Sequence, residues 1–245
     1  MKKHFLLLTA IPVLLLQSIL SAQDFDRIDI LRHTKETINF LNDANGKPFK
    51  SLRNFEEEGS PFFAPDYIDC DIQMVNGKTY HNIPIKINLQ TGEIIFKTSD
   101  DQEMLVVNPF QRITFKYEGK HFVFRSGFPS IDKLNDLSVY QLLDSGTTIL
   151  LKHTSVSYQD KSSYNSTAIT RSYNKNETMY AWVPDKGMVR LPKKEEDWNA
   201  FFGAQLPEMK RFMRDKNSRL KKEEDVIELF RYYNQLLKQV VANKN

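Results

Sequence analysis

Residues 67–124 constrain the fold more than any other stretch, because apolar and polar side chains alternate along them. In the first run the apolar residues all fall on one parity: Ile68, Cys70, Ile72 and Met74. Strict alternation is typical of a β-strand with one buried face and one solvated face. The dipeptide Asn76-Gly77 follows directly, and this pair favours a type I′ hairpin turn with two residues of positive φ.

The same alternation returns after each turn in this region. Apolar residues recur through 83–89, 94–96, 113–117 and 122–124, and the pairs Thr91-Gly92 and Glu118-Gly119 separate some of these runs. Glycine at such positions favours a change of chain direction. The pattern therefore predicts an antiparallel meander.

Strand patterns continue downstream and then give way to helical ones. Residues 140–143, 147–151 and 179–183 are rich in β-branched and apolar side chains, whereas beyond Pro192 the apolar period changes from two to 3.6. Strands followed by helices predict a mainly β, α+β fold: an antiparallel sandwich or open barrel with three short C-terminal helices packed on it. We expect one domain, with a β body over 23–191 and a helical tail over 192–245.

The first 22 residues have the features of a secretory signal peptide. Lys2 and Lys3 precede an apolar run, and Ser21 and Ala22 supply the small residues at the cleavage site. The apolar run is too short for a membrane span, and no cysteine stands near the cut to carry a lipid. We therefore expect a protein exported to the periplasm or secreted, with no transmembrane segment after cleavage.

Net charge and cysteine content bear on nucleic-acid binding and on disulfide formation. The formal charge of +3 falls to +1 when Lys2 and Lys3 leave with the leader, so the balance does not predict binding to nucleic acid. Cys70 is the sole cysteine and lies on the inward parity of a strand, which excludes an intramolecular disulfide and favours a small buried side chain.

A search for catalytic and ligand motifs assigns no residue to catalysis, to a cofactor or to a metal. Gly77-Lys78-Thr79 imitates the end of a phosphate-binding loop, but it lies between two strands and no helix follows it. The histidines lack the spacing of a zinc-ligand pair. A non-enzymatic role is therefore the favoured interpretation.

One stretch has an unusual composition. From residue 159 to 178 the chain is dominated by Ser, Thr, Asn, Lys and Tyr, a mixture suited to adaptable contacts. We predict a loop here that is either functional or a mobile hairpin extension. Its candidate interaction residues are Tyr158, Tyr164, Asn165, Tyr173 and Asn174.

Two separated stretches carry a resemblance to other proteins. The first comprises Gly59-Ser60-Pro61-Phe62 with residues 76–86 and 92–96, and the second runs from 219 to Tyr232-Tyr233-Asn234. Together they resemble an uncharacterised family of exported β-rich proteins from Bacteroidota-type bacteria. The resemblance implies a β-rich body with a short helical tail, and it implies no activity.

Two classes of function remain open from the sequence. The first is a non-catalytic envelope protein that binds a partner protein or a surface glycan, suggested by the Tyr/Ser/Asn stretch. The alternative is a periplasmic carrier of a lipid or small apolar ligand, since curved antiparallel sheets enclose such ligands and the chain has 17 Phe and 10 Tyr to line a cavity. A hydrolase is a third hypothesis.

Overall fold

The alternating runs form strands close to where the sequence predicts them. A computed structural model describes residues 32, 34–48, 56–162, 169–216, 220 and 222–242, so the predicted leader over 1–22 lies outside the described residues. The strands are β1 (Lys47–Pro48), β2 (Glu56–Glu58), β3 (Ile68–Met74), β4 (Thr79–Ile87), β5 (Ile94–Lys97), β6 (Glu103–Leu105), β7 (Phe110–Tyr117), β8 (Lys120–Arg125), β9 (Tyr140–Asp144), β10 (Ile149–Ser162), β11 (Ile169–Val183) and β12 (Gly187–Arg190).

These strands join in one open, 12-stranded sheet in the order β1-β6-β5-β4-β3-β7-β8-β9-β10-β11-β12, with β2 beside β11. The order departs from the predicted meander at one point. β7 does not follow β6 but returns to pair with β3, where Ile113 stands opposite Ile72. Alternation determines which face of a strand is buried, but it does not determine which strand pairs with it. The sequence pattern therefore does not reveal that β7 pairs with β3.

The turn between β3 and β4 is not of type I′. Within the Asn76-Gly77 pair only Gly77 has positive φ, at 85°. The N–H of Gly77 donates to the carbonyl of Met74 at 3.0 Å, and the N–H of Met74 donates to the carbonyl of Lys78 at 2.9 Å. This is a three-residue hairpin loop with glycine in the left-handed region, the next most common solution after the two-residue turn.

An N-terminal helix, α1 (residues 34–44), packs on the first half of the sheet. The sequence predicts only that apolar residues of this region dock on the sheet. Phe40 is fully buried, and its ring lies 4.8 Å from the ring of Phe96 and 5.3 Å from that of Tyr80. Ile38, in contrast, is 48% exposed. Phe40 and Ala44 thus complete the core over β3–β8.

The three predicted C-terminal helices are α2 (Trp198–Phe202), α3 (Leu206–Asp215) and α4 (Glu223–Ala242). They pack on the second half of the sheet, where Leu150 and Ala181 are fully buried beneath them. The prediction that they cover the β body is confirmed, although α4 is long, with 20 residues. Among the described residues, no helix is long and apolar enough to span a membrane.

A third group of buried side chains lies on the opposite face of the sheet. Consecutive residues of a strand point to opposite faces, so Leu151 turns away from the helices and joins Phe128, Tyr140 and Tyr180. The connection between β8 and β9 covers this group with Ile131 and Leu134. Side chains on both faces of β9 and of residues 149–151 in β10 are therefore buried or half-buried.

The sheet bends strongly along its length. The N–H of Val156 in β10 donates to the carbonyl of Leu89, just after β4, at 3.1 Å. Strands far apart in the sheet order thus approach each other. The mainly β, α+β class is confirmed, and the body is a single open sheet rather than two stacked sheets.

Candidate functional site

The segment predicted as a loop is the outer part of a long two-stranded ribbon. β10 and β11 pair antiparallel from Ile149 opposite Trp182 to Ser162 opposite Ile169. Residues 159–162 and 169–178 are therefore strand, so the prediction of a loop is wrong for them and the alternative of a hairpin extension agrees with the structure. The physical reason is that each polar side chain has a direct partner across the ribbon, which composition does not reveal. Tyr164 and Asn165 lie outside the described residues.

The ribbon extends beyond its neighbouring strands. β9 pairs with β10 only from Leu150 to Lys152, and β12 pairs with β11 only from Tyr180 to Val183. Farther out, β2 runs parallel to β11 at residues 170–172. Beyond these pairings the ribbon still contacts the body, because Val156 belongs to the core over β3–β8 and Tyr173 packs against it.

One face of this outer part carries two tyrosines and an arginine. Tyr158 stands opposite Tyr173 in the register, with ring centroids 6.4 Å apart. The guanidinium carbon of Arg171 lies 3.9 Å from the centre of the Tyr158 ring, within the range of a cation–π contact. We call Tyr158, Asp160, Arg171 and Tyr173 the ribbon face.

Asp160 fixes the position of Arg171. The Nε and Nη2 atoms of Arg171 donate to the two carboxylate oxygens of Asp160 at 2.7 and 2.8 Å. This is the bidentate geometry in which a guanidinium matches a carboxylate. The bond lowers the pKa of Asp160 and raises that of Arg171, so both groups stay ionised at neutral pH.

The acidic strand β2 holds the other tyrosine. The hydroxyl of Tyr173 donates to Oε1 of Glu57 at 3.0 Å, and the hydroxyl of the adjacent Ser172 donates to Oε2 of Glu58 at 2.6 Å. Burial, and next the bond to Glu57, raise the pKa of Tyr173. Side chains of β2, the strand beside β11, thus hydrogen-bond two consecutive residues of the ribbon.

The predicted interaction residues have different environments. Tyr158 is 43% exposed, and Tyr173 is half-buried beside it. Asn174 is exposed and stands opposite Ser157, one register position away from the tyrosine pair. Sequence reasoning missed Asp160 and Arg171. Their spacing in the sequence could have revealed them, because each lies two residues from a tyrosine and therefore on the same face of its strand.

A cleft of about 540 Å³, lined by both apolar and polar side chains, lies elsewhere, where β10 approaches the β4–β5 turn. Residues 153–155 form one wall, residues 87–94 and 106–110 the opposite side, and the connection over 133–139 a third. Hydroxyl, amide and charged groups contribute to its lining, and the following are examples: Asn88, Glu93, Lys133, Asn135, His153 and Ser155. Burial lowers the pKa of His153, which therefore favours its neutral form.

Cys70 has the environment predicted for it. The side chain is 3% exposed, and its Sγ donates to the carbonyl of Ile83 at 3.2 Å. Burial raises the pKa of the thiol, so the thiolate is disfavoured. Within the described ranges, His, Cys, Asp and Glu side chains form no group of three or more arranged to hold a metal ion.

Comparison with known proteins adds nothing to this geometry. No protein-family model, curated protein or solved structure matches the chain significantly.

Proposed function

We propose that this chain is a non-catalytic, exported binding module that captures a partner protein of the cell envelope with the ribbon face. The observation that carries the proposal is the placement of Tyr158, Arg171 and Tyr173 together on one face of the ribbon, where Tyr158 is 43% exposed. Tyrosine and arginine are the residues in which interface binding energy concentrates, together with tryptophan. An exposed Tyr158 ring offers a large contact area with few torsions to immobilise.

Preorganisation supports the same proposal. Asp160 holds the guanidinium of Arg171, and Glu57 holds the hydroxyl of Tyr173. Because these bonds exist before any partner arrives, less side-chain entropy is lost on binding.

Export places the partner outside the cytoplasm. The leader over 1–22 directs the chain to the periplasm or beyond, and the formal charge of +1 on the mature chain gives no reason to expect nucleic acid. The resemblance to exported proteins of Bacteroidota-type bacteria agrees with an envelope location. We therefore expect the partner among envelope proteins.

A capture experiment tests the proposal. The mature protein, residues 23–245, is immobilised, a partner is identified from envelope extract by mass spectrometry, and its affinity is then measured with purified components. Tyr158→Ala is expected to weaken binding by about tenfold or more, as at other tyrosine hot spots. Gln159→Ala is the matched control, because Gln159 is exposed on the opposite face of the same strand. Equal affinity of both variants for the partner would contradict the proposal.

The cleft supports a second candidate function, the binding of a surface glycan or of a lipid or small apolar ligand. Its hydroxyl and amide groups match the hydrogen-bonding groups of a sugar, and its apolar side chains, such as Leu89, Val106 and Phe110, match an apolar ligand. The lining residues do not favour one of these ligands over the other. Native mass spectrometry of the gently purified protein distinguishes them, since a carrier retains lipid.

Glycan binding is tested separately from protein capture. Ser155→Val removes a hydroxyl from the cleft wall, and Ser157→Val makes the same change one step farther along the same strand face. We expect the first variant alone to lose binding on a glycan array. Loss in both variants, or in neither, would exclude the cleft as the glycan site.

A further inference from the structure

Two arginines face each other across the strands β7 and β8. Arg112 stands directly opposite Arg125 in the antiparallel register. Both alternate with core residues, Ile113 and Phe124, and therefore point to the face of the sheet away from the α1 core. Side chains that oppose each other in this way have Cβ atoms about 5 Å apart, so the two guanidinium groups can reach one common ligand.

The Arg125 guanidinium is partly removed from water without a protein partner. Its Nε is buried and has no hydrogen-bond acceptor. Among the described residues, no carboxylate forms an ion pair with Arg125 or with Arg112. Burial, and next the neighbouring Arg112, lower the pKa of Arg125, yet an arginine stays protonated at neutral pH. Within the part of the chain that the structure describes, these two cations thus share a face without a directly ion-paired carboxylate.

Aromatic side chains shape one side of this site. The guanidinium carbon of Arg125 lies 5.2 Å from the centre of the Phe128 ring. On the next strand, Tyr140 stands opposite Arg125, is fully buried, and has a hydroxyl with no hydrogen-bond partner. Unsatisfied buried polar groups are rare in folded proteins, because each one loses its hydrogen bonds to water without replacement. Arg125 and Tyr140 each carry one such unsatisfied group, and the two residues lie on neighbouring strands.

We infer that Arg112 and Arg125 form a binding site for a doubly charged oxyanion, a phosphate or sulfate group. Such a group offers several acceptor oxygens to the two guanidinium forks and neutralises both positive charges. It also removes the repulsion between like charges on opposite strands. The inference is independent of the proposed function, because the ribbon face and this site use different residues and different strands.

Thermal unfolding with defined anions tests the inference. The mature protein is melted in sodium chloride, phosphate, sulfate and glycerol phosphate at equal ionic strength. A ligand of the folded state raises the melting temperature with its concentration, so phosphate or sulfate is expected to give a rise that chloride does not. If only glycerol phosphate raises the melting temperature, the ligand is an esterified phosphate, as on a glycan or lipid head group. If inorganic phosphate raises it too, the site also binds the free ion.

Matched variants locate the effect. Arg125→Met and Arg112→Met keep a long stem and remove the charge, and each is expected to abolish the anion-dependent rise. Lys116→Met removes a charge from the same face of β7, four residues farther along, and is expected to retain the anion-dependent rise. In sodium chloride, the melting temperature of Arg125→Met should be no lower than that of the parent, because the substitution removes a partly buried, unpaired charge.

Two results would overturn the inference. One is an absence of any rise in the parent protein with phosphate, sulfate and glycerol phosphate. The other is a rise that both arginine variants retain. If Arg125→Met fails to fold, Arg112→Met still decides, since Arg112 is exposed and its replacement leaves the core intact. Titration calorimetry with inorganic phosphate gives the same comparison as a fold-change in affinity.

Discussion

The side chain of Asn234 hydrogen-bonds both backbone groups of Thr148. Its Oδ1 accepts from the N–H of Thr148 at 2.8 Å, and its Nδ2 donates to the carbonyl of Thr148 at 2.9 Å. The same Nδ2 donates to Oδ2 of Asp144 at 3.0 Å. Asn234 belongs to α4 and Thr148 to the β9–β10 turn, so one amide joins the last helix to the sheet. The apolar stripe of α4 attaches the helix, and this amide sets its position.

Replacing Asn234 with Ala should lower the free energy of unfolding by about 2–4 kcal/mol, because two buried backbone groups of Thr148 lose their partners. Thr148 is fully buried and Asn234 is 5% exposed, so water does not readily replace the amide. Urea denaturation measures the change. Gln235→Ala, at the next and exposed position of the helix, is the control and should have almost no effect.

Gly146 should tolerate no side chain while Asn234 is present. A Cβ at this position would lie 2.6 Å from Cγ and 2.7 Å from Nδ2 of Asn234. Gly146→Ala is therefore expected to destabilise the protein by about 1–3 kcal/mol. In an Asn234→Ala background the same change should be less harmful, because the clash is removed. A double-mutant cycle by urea denaturation measures this coupling, and additive effects would contradict it.

Phe230→Ala should destabilise the protein by about 3–5 kcal/mol. Phe230 is fully buried, and its ring lies 5.7 Å from Phe201 and 6.3 Å from Trp198. Removing the ring leaves a cavity between α2, α4 and the sheet. Lys238→Ala on the exposed side of α4 should change stability very little. A thermal melt of the two variants compares them, and an unchanged midpoint for Phe230→Ala would refute the packing of α4.

His153 should make stability depend on pH on the acid side. Burial lowers the pKa of His153 in the folded protein below its ordinary value of 6.5. The folded state therefore favours the neutral ring, and this contribution is fully present above about pH 6.5 and is lost as the pH falls toward the folded-state pKa. As the pH is lowered, the midpoint of urea denaturation should decline less for His153→Gln than for the parent. His121→Gln, at an exposed position, should follow the parent.

The sequence reveals the faces of the sheet more readily than its connections. Alternation at Ile68, Cys70, Ile72 and Met74 correctly predicts β3 and its buried side, and the stripe of α4 correctly predicts a buried Phe230. The return of β7 to β3 could not be predicted in this way, because alternation is compatible with many strand partners. The β3–β4 turn was also mistaken, since Asn76-Gly77 fits a three-residue loop as well as a two-residue one.

The candidate sites depend on tertiary structure to different degrees. The composition of residues 159–178 made Tyr158 and Tyr173 candidates, but their pairing with each other and with Arg171 depends on the ribbon register. Arg112 and Arg125 lie 13 positions apart in the numbering and carry no motif, so only the pairing of β7 with β8 brings them together. Asn234 and Thr148 are separated by 86 residues. The sequence by itself determined the strands of residues 67–124, the C-terminal helices and most of the side chains that these elements bury, because those follow from local periodicity. The tertiary structure alone decided which charges and amides meet, because such pairs depend on strand order and register, which no local pattern encodes.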